Sequence, residues 1–175
     1  MARKTDVPWW RLTIAILVGL LCLLAAAYLS ARLHRIRSGL SLAGTSLILE
    51  AQPGALAAIA LGFPPRSGAA IVILANLAPL PLLSTGLSEL LARWPWARRK
   101  LTRTRRWAQR FHRWGPLIFV PLAPVMGAYT ATAVGQSLGF RAERTFWATL
   151  AGMTWSVLAI TYGGHWAAQL FSQVL

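Results

Sequence analysis

The stretch SLILEAQPGALAAIALGF, residues 46–63, decides how the rest of the chain is read. It is apolar enough to enter a bilayer, yet Pro53-Gly54 interrupts it near its middle, and a carboxylate, Glu50, stands just before the interruption. Proline removes a backbone donor and crowds the preceding turn, and glycine weakens the helix further. Backbone groups freed at membrane depth must be covered by protein or line a water-filled cavity. An acid at that depth is costly and is by default a functional candidate. The stretch therefore reads as two half-helices meeting inside a membrane. A half-helix of about 10 residues rises about 15 Å, which reaches the bilayer centre. The alternative is a single proline-kinked span.

Composition supports a membrane setting. The chain has 175 residues, of which 56% are hydrophobic and 13% charged. Soluble globular chains carry about 25% charged residues. The acids are Asp6, Glu50, Glu89 and Glu143, and the formal net charge is +14. In a soluble protein such a charge would suggest nucleic acid. Here nine of the 18 Lys and Arg residues fall between Arg93 and Arg113, between two apolar regions. That is the signature of a cytoplasmic loop under the positive-inside rule, not of a nucleic-acid-binding face. The lone Cys22 excludes an intrachain disulfide framework and a Cys-based metal site.

Working outward, residues 12–29 form an apolar run of 18 residues between Trp9-Trp10-Arg11 and the basic cluster Arg32, His34, Arg35 and Arg37. It is long for a signal-peptide core and reads as a retained first span, although Ala25-Ala26-Ala27 supplies the small residues of a cleavage site. Residues 67–91 are long enough to cross and contain Asn76, Pro79 and Pro81. The two prolines are expected to loosen that helix. Asn76 is either interhelical glue or a partner for the loose backbone at Pro53 or Pro124. Glu89 and Arg93 have the spacing of a surface pair. Within 93–114 apolar residues recur at steps of three or four with Arg and Lys between them, as in an amphipathic helix lying on anionic headgroups. Residues 115–140 repeat the broken theme, with the interruption at Ala123-Pro124-Val125-Met126-Gly127. Tyr129, Thr130, Thr132 and Gln136 follow at helical spacings, as a polar lining or as small residues for close packing. Arg141 and Arg144 return to an interface and would form a basic cytoplasmic mouth. Residues 145–166 make a last span.

Two units thus share one plan: apolar half, Pro/Gly break, apolar half, Leu-Gly-Phe, a basic turn and a long helix. Leu61-Gly62-Phe63 marks the first and Leu138-Gly139-Phe140 the second. The expected fold is all-α and integral to the membrane: about three spanning helices plus two broken, re-entrant helical hairpins in an inverted repeat. Many transporters build a midplane site from such discontinuous helices. The expected organisation is one membrane domain in four segments. These are a basic segment with the first span (1–38), a broken hairpin with a span (39–92), the basic linker (93–114) and a second broken hairpin with the last span (115–175).

Glu50 twelve residues before Gly62, then Asn76-Leu77-Ala78-Pro79-Leu80-Pro81, then Pro124 followed by Gly127-Ala128-Tyr129-Thr130, together resemble the small multidrug export family, itself similar in plan to the DedA (VTT-domain) membrane proteins. The resemblance covers about residues 40–165. This chain has Gln52 where the family pattern has Arg, Val125 where it has Gly, and an additional Pro53. Glu50 is thereby left without the neighbouring cation of the pattern. The resemblance implies export of small hydrophobic or cationic compounds, or, through the DedA likeness, lipid translocation or membrane homeostasis.

The expected function is proton-coupled transport. Glu50 would exchange protons, and Gln52, Asn76, Tyr129 and Thr130 would complete the polar site. Pro53, Gly54, Pro79, Pro81, Pro124 and Gly127 would break the helices around it. A non-transporting scaffold is the alternative from another class, and it predicts that Glu50 tolerates Gln. No metal-ligand spacing, nucleophile–base arrangement or carboxylate pair suggests an enzyme, a metal or another cofactor. The expected location is the inner (plasma) membrane, multi-pass, with 93–114 on the cytoplasmic side against anionic lipid. A chain this small leaves room for a homodimer.

Overall fold

The computed structural model describes residues 9–85 and 115–174, with side chains placed through Trp166. All regular structure among the described residues is helical. Helix α1 is Trp9–Arg32, α2 is Ile36–Leu49, α3 is Ala51–Ala60 and α4 is Pro65–Leu77. A 3-10 turn, Gly115–Ile118, leads into α5, Phe119–Met126, then α6, Ala128–Ser137, and α7, Ala142–Val174. The Glu89–Arg93 pair and the amphipathic linker expected at 93–114 lie outside the described residues.

Among the described residues two helices are long and apolar enough to cross a membrane: α1, and the helical stretch Pro65–Thr85 that continues α4 past Pro79. Helices 36–49 and 115–126 are apolar but shorter. The last expected span lies inside α7, whose 33 residues would rise about 50 Å.

Each broken pair rests on the long helix that follows it. Helices α2 and α3 pack on α4, and α5 and α6 pack on α7. The two long helices then pack together, and α1 closes the side formed by α2 and α4. The larger core joins Leu42, Ala55, Phe63, Ile71, Val72, Leu80, Met153 and Val157. A second, smaller core surrounds Phe119 and Ala123 beneath α6, with Phe119 edge-on to Phe140 at 6.2 Å. Much of α1 remains apolar and exposed, including Leu17, Leu21, Leu24 and Tyr28, as a lipid-facing helix would be.

The two broken pairs superimpose in sequence register. Glu50 to Gly127 and Leu61 to Leu138 are both steps of 77 residues. Helix α3 ends with Phe63 N–H donating to the Ala58 carbonyl (3.0 Å) and Gly62 N–H to Ile59 (2.9 Å). Helix α6 ends with Phe140 N–H donating to Gly135 (3.2 Å) and Gly139 N–H to Gln136 (3.0 Å), each partner again 77 residues on. Both are glycine-terminated Schellman-type caps, in which the glycine takes the left-handed conformation: φ is 69° at Gly62 and 78° at Gly139. The tripeptide Leu-Gly-Phe recurs because the same cap recurs.

Candidate functional site

The interruption expected at Pro53-Gly54 lies elsewhere. Helix α2 ends at Leu49, α3 begins at Ala51, and the one residue between them is Glu50, at φ 72° and ψ −175°. Its counterpart between α5 and α6 is Gly127, at φ 87° and ψ 152°. This region is open essentially to glycine alone, and a residue with a Cβ held there stores about 1–3 kcal/mol of strain. Pro53 lies in the first turn of α3, where its missing N–H has no helical partner to lose. Gly54 serves close packing: a Cβ there would strike Ser46 on the facing turn of α2. The break comes from Glu50, and the Pro-Gly pair shapes the start of the second half-helix.

Pro124 likewise lies inside α5, one turn before the break. A proline there frees the carbonyl of the residue four before it, Val120. Gly152 of α7 faces that carbonyl so closely that a Cβ would overlap it. The Pro79 and Pro81 segment follows the end of α4 at Leu77, and helical bonding resumes with Leu83 N–H donating to the Pro79 carbonyl at 2.9 Å.

The two breaks meet. The Glu50 carboxylate lies against Gly127, where a Cβ would coincide with its oxygens. Gln52, two residues on, reaches the same place: its amide nitrogen donates to the carbonyls of Pro124 at 2.8 Å and Ala123 at 3.4 Å. Carbonyls accept only, so these bonds fix the orientation of the Gln52 amide. The carboxylate thus faces the start of α6, where the helix dipole favours negative charge. No lysine, arginine or histidine among the described residues forms an ion pair with it.

Tyr129 belongs to this group. Its ring packs on the larger core, its hydroxyl is buried without a hydrogen-bond partner among the described residues, and the charge of Glu50 bears on it. Thr130 is exposed and does not join it. The other residues expected to line a polar path also diverge. The Thr132 hydroxyl bonds back to the Ala128 carbonyl at 2.8 Å, and the Gln136 amide donates to the Ser84 carbonyl at 2.9 Å. Asn76 reaches neither break: its amide donates to the Ser46 hydroxyl and, at 3.0 Å, to the Val72 carbonyl, joining α4 to α2. Arg141 and Arg144 are exposed at the start of α7.

Two contributors escaped sequence reasoning. Ser46, a lone hydroxyl in an apolar run, is fully buried and receives Asn76. Arg35 donates to the carbonyls of Leu61 at 3.2 Å and Gly62 at 2.7 Å, and its guanidinium lies 5.4 Å from the centre of the Phe63 ring. It ties the α1–α2 turn to the cap of α3. A hydroxyl four residues before an acid was the available signal for Ser46; Arg35 had none beyond its charge.

These features define a helical membrane protein with a carboxylate set where two interrupted helix pairs touch. The model of a family described as "Putative small multi-drug export protein" matches residues 50–159, more than half of the chain, and the chain belongs to that family. The match opens at Glu50 and includes Gln52, Asn76, Gly127 and Tyr129. Its description is one of export, which points to a transporter rather than an enzyme. No curated protein and no solved structure matches the chain.

Proposed function

We propose that the protein is a proton-coupled exporter of small hydrophobic or cationic compounds, with Glu50 holding the proton and the substrate cation in turn. One observation carries this reading: a carboxylate with no cationic partner among the described residues, held in a glycine-only conformation against the opposite break. An acid inside a membrane bundle marks a proton or substrate pathway by default. Gln52 and Tyr129 supply the other polar groups of the site. Asn76 and Thr130, expected there from sequence, are not needed by the geometry.

The register of 77 residues supports an inverted repeat whose broken pairs enter from opposite faces, as in transporters that build their site from half-helices. In that topology the basic linker, Arg141 and Arg144 are cytoplasmic and the linker rests on anionic headgroups. The N-terminus is then also cytoplasmic, in a multi-pass protein of the inner membrane, and a homodimer fits its small size.

A second reading, lipid translocation in the manner proposed for DedA-like plans, draws on the exposed tips of the breaks. Ile48 is 81% and Val125 84% exposed, so each break carries an exposed apolar side chain two residues before it. The test uses purified protein in liposomes with an imposed pH gradient and a lipophilic cationic dye. Gradient-driven dye movement in wild type and its loss in Glu50→Gln is the expected result. Equal movement by both removes Glu50 from the mechanism. No dye movement together with movement of a fluorescent lipid favours the second reading.

A further inference from the structure

We infer that the site selects cations that carry N–H donors over quaternary cations of similar size, and that the Gln52 amide is the built-in occupant such a ligand displaces. This rests on the reading of Glu50 as the cation-binding group.

The last carbonyls of a helix have no donor within it. At the end of α5 these point toward the break, where the helix dipole adds partial negative charge. The Gln52 amide nitrogen fills one such place on the Pro124 carbonyl and leans on the Ala123 carbonyl, which already accepts from Gly127 N–H at 2.9 Å. The donor that satisfies this helix end is therefore a neutral N–H group reaching across from the other broken pair. Two residues before it, the Glu50 carboxylate lies against Gly127, the residue that closes α5. A charge acceptor and a carbonyl acceptor thus stand together, the first without an ion-pair partner among the described residues and the second capped by a neutral donor. The Tyr129 hydroxyl, two residues past Gly127, is a further buried polar atom without a hydrogen-bond partner among the described residues.

An alkylammonium, amidinium or guanidinium would satisfy both needs: one N–H to Glu50 and one to the carbonyl end of α5 in place of Gln52. A trimethylammonium matches the charge but has no hydrogen to give. It can sit on Glu50 while Gln52 stays in place. Ile48, Leu49 and Val125 are exposed beside the breaks, and the hydrophobic body of such a ligand would lie against them. A hydrogen bond to a charged donor favours the N–H cation by about tenfold to a hundredfold in affinity.

The experiment compares 2-(1-naphthyl)ethylammonium with its N,N,N-trimethyl analogue. Binding to wild-type protein in nanodiscs of neutral lipid is measured at pH 7 by equilibrium dialysis, beside Glu50→Gln and Gln52→Leu. Wild type is expected to bind the ammonium at least about tenfold more tightly. Gln52→Leu, which uncovers the Pro124 carbonyl, is expected to bind the ammonium more tightly again, by roughly threefold to tenfold, and the trimethyl analogue as before. Equal affinity for the pair in wild type, with both lost in Glu50→Gln, overturns the N–H selection and leaves Glu50 as the cation site. No Glu50-dependent binding of either probe overturns both. The wild-type comparison needs no variant, so a Gln52→Leu protein that fails to fold does not weaken it.

Discussion

Glu50 and Gly127 occupy the same place in two copies of one arrangement, and they solve it differently. Each is the single residue between two half-helices, with a positive φ and an extended ψ. Gly127 adopts this backbone without a Cβ to oppose it. Glu50 adopts it at a cost; the first helical bond beyond each break is made in both, Gly54 N–H to the Glu50 carbonyl at 3.3 Å and Ala131 N–H to the Gly127 carbonyl at 3.0 Å. One copy carries the glycine that the geometry asks for, and the other carries an acid. The absence of a side chain at 127 is also what gives the acid its seat. The two positions therefore form one device: a strained residue with chemistry, facing an unstrained residue with room.

This contrast can be broken from either side. The largest effect is expected for Gly127→Ala, which places a methyl group on the Glu50 carboxylate and strains the second break. A loss of about 2–4 kcal/mol of stability is expected, read as a lower midpoint in denaturant titration of the purified protein. Adding Glu50→Gly to Gly127→Ala removes the side chain that clashes. The double variant should recover more than the two single effects predict by addition, by about 1–2 kcal/mol in a double-mutant cycle. Glu50→Gly alone sharpens the comparison. It makes both breaks glycine and should raise stability by about 1 kcal/mol, because relief of strain exceeds the extra chain entropy that glycine loses on folding. Glu50→Gln keeps the strain and should not show that gain, while the pH-driven dye assay should fail in both. A more stable protein that no longer transports would mark Glu50 as a functional residue in a structural glycine's position.

Smaller effects are expected away from the crossing. Asn76→Ala removes the tie from α4 to Ser46 and should cost about 0.6–1.7 kcal/mol, the range for buried polar contacts between membrane helices. Arg35→Ala releases the cap of α3 at an exposed position and should cost less, below about 1 kcal/mol by the same titration.

The sequence made the two interrupted apolar stretches readable, because proline and glycine punctuate helices whatever their surroundings. It misplaced the first interruption by three residues. Proline and glycine mark a region where a helix is weak, but the first turn of a helix accepts proline. The need for Gly54 comes from Ser46, eight residues earlier on the facing helix. Nothing in the residue type glutamate announces a glycine-only backbone; only its alignment 77 positions before Gly127 does. Glu50 stood out by charge alone, Gly127 as part of the second break, and Gln52 as the departure from a family pattern. The bonds from Gln52 to carbonyls 71 and 72 residues away depend on how the pairs cross, which no local pattern encodes. Tyr129 and Thr130 looked equivalent on paper. A helix turns about 100° per residue, and that rotation sends the first hydroxyl into the core and leaves the second exposed.

The Arg35 clasp bears on how the first broken pair can move. It fastens the entry of the pair to its exit, so the chain from Arg35 to Gly62 is a loop pinned at its neck. Opening the pair at its base breaks both of these hydrogen bonds. The far end of that loop, its crown, is Glu50. The segment is built as a crease rather than a hinge: bending it works directly on the residue that carries the charge.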